Sequence, residues 1–196
     1  LCSQNGTYAS SIQENLVTLA ESGAVEVAVQ IFAGLLQLML KGATENALSQ
    51  QVFSDAMCAV CGCLCALAFN ETNCVKLGML DTGEMARSLL ESETVENVVR
   101  RAACDVLKEL CHSWQNRLRF GASGTCQLLL QQLGDCAARG NYLLAMDVGV
   151  LLACLARQPE NQRMLLEFEA IPAVIQLLQH YMDIDAVVLG LCALVA

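Results

Sequence analysis

The feature that most constrains this 196-residue chain is a segment that recurs along it. The stretch from Asn161 to Leu178 lies over Asn116 to Leu133 after a shift of 45 residues, without a gap. A third copy starts at Asn15 and sets Gly23-Ala24-Val25 against Glu169-Ala170-Ile171. A fourth starts at Asn73 and is read with two extra residues before Gly83. The residues ahead of each Asn match too: Leu67 to Asn73, Leu110 to Asn116 and Leu155 to Asn161 superpose, at intervals of 43 and 45 residues. Counting back from Leu67, Leu110, Leu155 and Leu194, the third residue is Leu64, Leu107, Leu152 or Leu191, and the seventh is Val60, Ala103, Val148 or Val187. Steps of three and seven fall on one helix face, so four helices are expected to bury the same stripe.

Each unit reads as a short helix after the Asn, a middle helix after the Gly-Ala position and a long closing helix. Gly23, Gly83 and Gly124 stand where a sharp helix-to-helix turn needs positive φ or close backbone approach. Glu169 replaces Gly in the last unit, so a differently made turn is expected there. Pro172 suits the first turn of a helix, and Asp55 and Asp183 are placed near the starts of long helices, at the positive dipole end. A loop is expected over Lys41 to Asn46. Composition agrees with an all-α chain: two Pro and nine aromatics are too few for a sandwich or barrel rich in turns and aromatic strands.

This pattern resembles the armadillo repeat family. The carrying motif is Asn, seven residues, Gly-Ala-Ile-Pro, four residues, Leu-Leu, then a long helix ending Ala-Leu-x-x-Leu-Ala; Asn161 to Ala196 follows it most closely. The resemblance implies a right-handed α-α superhelix, an armadillo-like solenoid of about four three-helix repeats at 10–70, 71–113, 114–158 and 159–196. Both end repeats are expected to be clipped, since no initiator Met opens the chain and it stops within the apolar run Leu191 to Ala196. One such unit cannot bury its apolar face alone, so neighbours stack. The function implied is that of a protein-interaction scaffold or adaptor, with no catalysis and no cofactor, holding a partner segment against the concave face of the third helices. The alternative is a structural component packed into a larger cytoskeletal or ciliary assembly through its apolar end repeats, with self-association there.

The family's best-known members pin a peptide with a row of Asn amides on the third helices. Here that row reads Ala66, Glu109, Cys154 and Ala193, none of them Asn. A Trp row four residues earlier becomes Gly62, Asp105, Val150 and Leu189, and the one Trp, Trp114, lies outside it. Helical spacing gives as groove positions Ala59, Gly62 and Ala66, then Ala102, Asp105 and Glu109, then Asp147, Val150 and Cys154. Asp105, Glu109 and Asp147 are therefore candidates to attract a basic or helical partner segment, with Ala102, Val150 and Gly62 beside them. The plainer reading is that these carboxylates only keep an exposed face soluble.

A net charge of −9 argues against gripping a nucleic-acid backbone. No membrane span is expected, because the uncharged run Ala56 to Phe69 has 14 residues and a span needs about 18 or more. No signal peptide is visible at the start. The twelve Cys fall at helical spacing, as in Cys58, Cys61 and Cys65, and read as small, reduced hydrophobes of a cytoplasmic protein, with the nucleus or cytoskeleton as alternatives. Cys58, Cys61, Cys63 and Cys65 share one helix rather than a zinc knuckle, and neither His112 nor His180 is near them in sequence, so core packing is favoured over metal. Gly121-Ala122-Ser123-Gly124 falls one residue short of a hydrolase nucleophile elbow and reads as a turn. His112 reads as a helix C-terminal residue. The sequons at Asn5 and Asn70 are idle in a reducing compartment. Arg100, Arg101, Arg117 and Arg119 form the basic cluster, available to an acidic partner or, more simply, paired with Glu96 and Asp105 at i, i+4.

Overall fold

The computed structural model describes residues 2–41 and 47–180, and every regular element among them is an α-helix. In order these are α1 (Cys2–Glu21), α2 (Ala24–Leu40), α3 (Ala47–Ala68), α4 (Glu71–Met79), α5 (Thr82–Glu91), α6 (Asn97–Leu110), α7 (Trp114–Ala122), α8 (Thr125–Arg139), α9 (Tyr142–Leu155), α10 (Pro159–Glu167) and α11 (Ala170–His180). The all-α reading holds. The expected loop over Lys41 to Asn46 and the dipole role of Asp183 fall almost wholly outside the described residues.

Helices of like position pack on one another. α3 lies against α6 and α6 against α9; α2 touches α5, α5 touches α8 and α8 touches α11; α4 meets α7 and α7 meets α10. The stripe read from the sequence is the buried one: Leu64, Leu107 and Leu152, with Leu67, Leu110 and Leu155, are all at most 3% exposed, and Ala103 and Val148 are fully buried. Val60 is half-buried, and Val187, Leu191 and Leu194 of the expected fourth helix lie outside the described residues. The core runs without interruption from Leu16 to Val174. α3 over Ser49–Ala68 is long and apolar enough to cross a membrane, by length and composition alone. It buries Met57, Cys61, Leu64 and Leu67 against its neighbours, at the 4-3-3 spacing of one helix face.

The turns correct the sequence reading. The short helices begin two residues before the Asn, so Asn73, Asn116 and Asn161 lie inside them. The left-handed residues between short and middle helices are Gly23, Asp81, Gly124 and Glu169, with φ of 85, 57, 83 and 53°. Each stands eight residues after its Asn, so no two-residue insertion precedes Gly83. Gly83 itself is helical, and it is needed for closeness instead, since a Cβ there would lie 2.1 Å from Phe120 Cε1. Glu169 makes the same turn as the glycines, with a side chain the left-handed region disfavours. Glu169→Gly should therefore raise stability by about 1 kcal/mol, measured by urea unfolding. Asp55 also departs from expectation: α3 starts at Ala47, so Asp55 is mid-helix and accepts a hydrogen bond from Gln51 rather than meeting a helix start.

The recurring Asn has a structural task. Asn116 Nδ2 donates to the carbonyls of Cys74 and Leu110, at 2.9 and 3.0 Å. Asn161 repeats this one unit on, donating to Arg117 and Leu155 at 2.9 and 3.0 Å. Asn73 donates to Leu16. Each amide thus reaches the carbonyl one residue past the preceding unit's Asn. Gly78 and Gly121, five residues after Asn73 and Asn116, make the room; a Cβ at either would sit within 2 Å of the next Asn Oδ1.

Candidate functional site

The candidate residues lie on the three stacked helices α3, α6 and α9. Gly62 is exposed on α3 with open space beyond it. Ala102 and Val150 are half-buried on α6 and α9, and Ala102 packs against the core. Asp147 is buried on α9 and accepts a 2.6 Å ion-paired hydrogen bond from Arg101 Nε on α6. Asp105 is exposed and pairs with Lys108 at 2.7 Å, one turn along the same helix. Burial alone would lower the Lys108 pKa, but the bond to Asp105 and the fields of Asp105 and Asp147 outweigh it and hold the ammonium charged. Glu109 is half-buried, with His112 Nε2 3.5 Å away.

Asp105 and Asp147 thus come together around two cations, Lys108 and Arg101. The row is an alternation of charges rather than three free carboxylates. Glu109, one turn further along α6, is the carboxylate of the row that no Lys or Arg pairs with among the described residues. It lines a cleft of about 360 Å³ with Ala68, Phe69, Glu71, Cys74, His112 and Ser113. The cleft lies between the α3–α4 and α6–α7 turns. Phe69 is 70% exposed in its wall, and Glu71 opens α4 there. An aromatic face beside two carboxylates suits the stem and head of a Lys or Arg side chain.

Sequence reasoning missed this cleft. Its signal was the second residue past the reference Leu, which reads Phe69, His112 and Arg157 in successive units where a turn residue needs no aromatic.

The arginines are used differently from the expected i, i+4 pairs with Glu96 and Asp105. Arg101 reaches α9. Arg117 donates to the carbonyls of Cys111 and His112, and Arg119 to that of Gly78. Arg100 is buried and donates to the Leu90 carbonyl and to Gln132 Oε1. What looked like one basic cluster is a set of separate ties between neighbouring units.

No disulfide joins any of Cys58 to Cys154 among the described residues. Burial pushes Cys61 and Cys65 up to about 12, which suppresses the thiolate form needed for redox or metal chemistry. Cys63 alone among them is exposed. Among Cys58 to Cys154, alkylation under native conditions at pH 8 should therefore modify Cys63 first, read by peptide mass mapping. Among the described residues no group of three or more His, Cys, Asp or Glu is placed to hold a metal ion. Ser123 closes α7 by donating to the Phe120 carbonyl, and Gly124 after it carries the turn. No protein-family model matches the chain, nor does any curated protein or solved structure.

Proposed function

We propose that this chain is an armadillo-like, right-handed α-α superhelix of about four three-helix repeats, acting as a protein-interaction scaffold or adaptor. Its partner is a basic, helical protein segment lying along α3, α6 and α9. The observation that carries this reading is the cleft in which exposed Phe69 stands beside Glu71 and Glu109, continuous with the charged row of α6. The in-phase helix stacking and the register of the four left-handed turns support the repeat assignment. Cysteines packed as small hydrophobes in the core, such as Cys61, Cys104 and Cys126, fit a reducing compartment, cytoplasmic or nuclear. The acidic balance of the chain favours a cationic partner and disfavours nucleic acid.

A fluorescently labelled, helical Lys/Arg-rich peptide tests this. Reversing Glu71 and Glu109 together to Lys should weaken its binding by about tenfold or more, and more so at low salt. Reversing Asp105 instead should have a smaller effect, because Lys108 already screens it. Binding that ignores Glu71→Lys/Glu109→Lys would remove the proposal.

One observation favours the second reading, a structural component joined through its ends. Val27 and Ile31 on α2 are 54% and 48% exposed. In the turn register their counterparts are Met85 and Leu89 on α5, and Leu128 and Gln132 on α8, all buried or half-buried against the preceding helix. A face that is covered on α5 and α8 is open on α2. Concentration-dependent sedimentation that disappears in Val27→Lys/Ile31→Lys would support this reading. A monomer at all concentrations would oppose it.

A further inference from the structure

We propose that the small pocket between the starts of α6 and α9 binds a single tetrahedral oxyanion, the phosphoryl group. The pocket measures about 110 Å³ and is lined by Asn97 and Arg100 of α6, Gln132, Asp135, Cys136 and Arg139 of α8, and Asn141 at the start of α9. That is well below the several hundred Å³ of a drug-sized ligand site, so one oxyanion fits and a nucleotide does not.

The argument rests on Arg100. Its side chain is only 8% exposed, yet among the described residues no carboxylate comes within ion-pairing distance of its guanidinium. Its partners are both neutral, the Leu90 carbonyl and Gln132 Oε1, and its Nε is buried without any partner. A buried guanidinium strongly favours a counter-ion, and the pocket it lines is where one can enter. The surroundings suit an anion. Arg139 stands across the pocket, and its bond to Glu93 is long at 3.4 Å and exposed at both ends, so it exchanges readily for a better acceptor. The N-cap positions of α6 and α9 are Glu96 and Asn141, neither side chain caps its helix, and Asn97 and Asn141 set these two positive dipole ends in the pocket wall. Asn97, Gln132 and Asn141 add amide donors. Asp135 is the one carboxylate in the wall, and its charge opposes the ligand. The pocket is at the other end of α6 from Glu109, about 18 Å away by helix rise from Asn97, so it is independent of the partner cleft.

Calorimetric titration of the intact chain with inorganic phosphate, at constant ionic strength in chloride, tests the site. Saturable binding is expected, weakened about tenfold by Arg139→Gln and tightened by Asp135→Asn. Arg139 is exposed, so its variant keeps the fold. Arg100→Gln should abolish binding, with helicity checked by circular dichroism. A short phosphoserine peptide distinguishes the source: tighter binding than phosphate assigns the group to a phosphorylated side chain, and equal binding assigns it to the free ion. The proposal is overturned by the absence of saturable phosphate binding, by binding that ignores Arg139→Gln, or by unfolding of Asp135→Asn, which would make Asp135 the counter-ion itself.

Discussion

Raising the pH from 8 to 10 should sharply destabilise this protein. The cause is the set of thiols buried in its core. Cys61, Cys104, Cys111, Cys126 and Cys136 are at most 3% exposed. Burial pushes Cys61 up to about 12 and Cys126 and Cys136 to about 11, and it raises Cys104 and Cys111 as well. In the unfolded chain a thiol ionises near pH 8.5–9, so above that range the unfolded state has released protons that the folded state still holds. The unfolded state then binds fewer protons, and stability falls with rising pH, from the unfolded pKa up to the folded one. Below about pH 8 the effect vanishes, because both states are protonated. Each fully buried thiol contributes about 1.4 kcal/mol of loss per pH unit inside that window. Five of them remove about 7 kcal/mol by pH 10, comparable with the roughly 5–15 kcal/mol that holds a typical domain together. The measurement is the urea midpoint against pH, in reductant. Cys61→Ala and Cys104→Ala should each lower stability at pH 7 yet flatten the slope above pH 9 by about 1.4 kcal/mol per unit. A midpoint that stays level from pH 8 to 10 would refute the account.

Those thiols were legible as core from the sequence, because Cys61, Cys104 and Cys111 fall on apolar helical stripes. The helices and the shared Leu stripe were legible for the same reason: a 3.6-residue period records which face is buried. What faces across between elements was less so. The sequence placed Asp147 on the α9 groove face but not Arg101 opposite it, because a partner 46 residues away leaves no mark on local spacing. It set Arg100 and Arg101 against Glu96 and Asp105, the neighbours that a lone helix would offer. Arg100 instead turns inward to Gln132 on α8. The turn at Asp81 was hidden because Gly83 matched the expected residue type two positions later. A constant step of eight from each Asn would have found it, since backbone geometry repeats more strictly than side-chain identity. The cleft around Phe69 was missed because its wall comes from two turns, and turns have no periodicity to read.

The recurring Asn makes a prediction opposite in sign to helix propensity. Gly121 is in the last turn of α7, and Gly→Ala in a helix ordinarily stabilises by up to about 1 kcal/mol. Here the added Cβ would lie 1.8 Å from Asn161 Oδ1 and 2.6 Å from its Cγ. Asn161 is fully buried and ties α10 to the Arg117 and Leu155 carbonyls, so it cannot yield without giving up both hydrogen bonds. Gly121→Ala should therefore cost about 3 kcal/mol or more, from overpacking plus the displaced amide. Asn161→Ala alone should cost about 2–3 kcal/mol, since it removes two buried bonds and leaves a void. The double variant decides between mechanisms. With Asn161 shortened, the methyl group added at position 121 displaces only the flexible end of Met164, whose Cε would lie 2.9 Å away, so the pair should cost little more than Asn161→Ala alone, a coupling of about 3 kcal/mol. Independent effects would add to within about 0.5 kcal/mol, and that result would show that Gly121 is not there to make room for the amide. The same cycle at Gly78 and Asn116, where the Cβ would meet Asn116 Oδ1 at 1.9 Å, should give coupling of the same sign. Agreement between the two cycles would mean that one device, a glycine opened for the next unit's asparagine, sets how closely successive short helices approach.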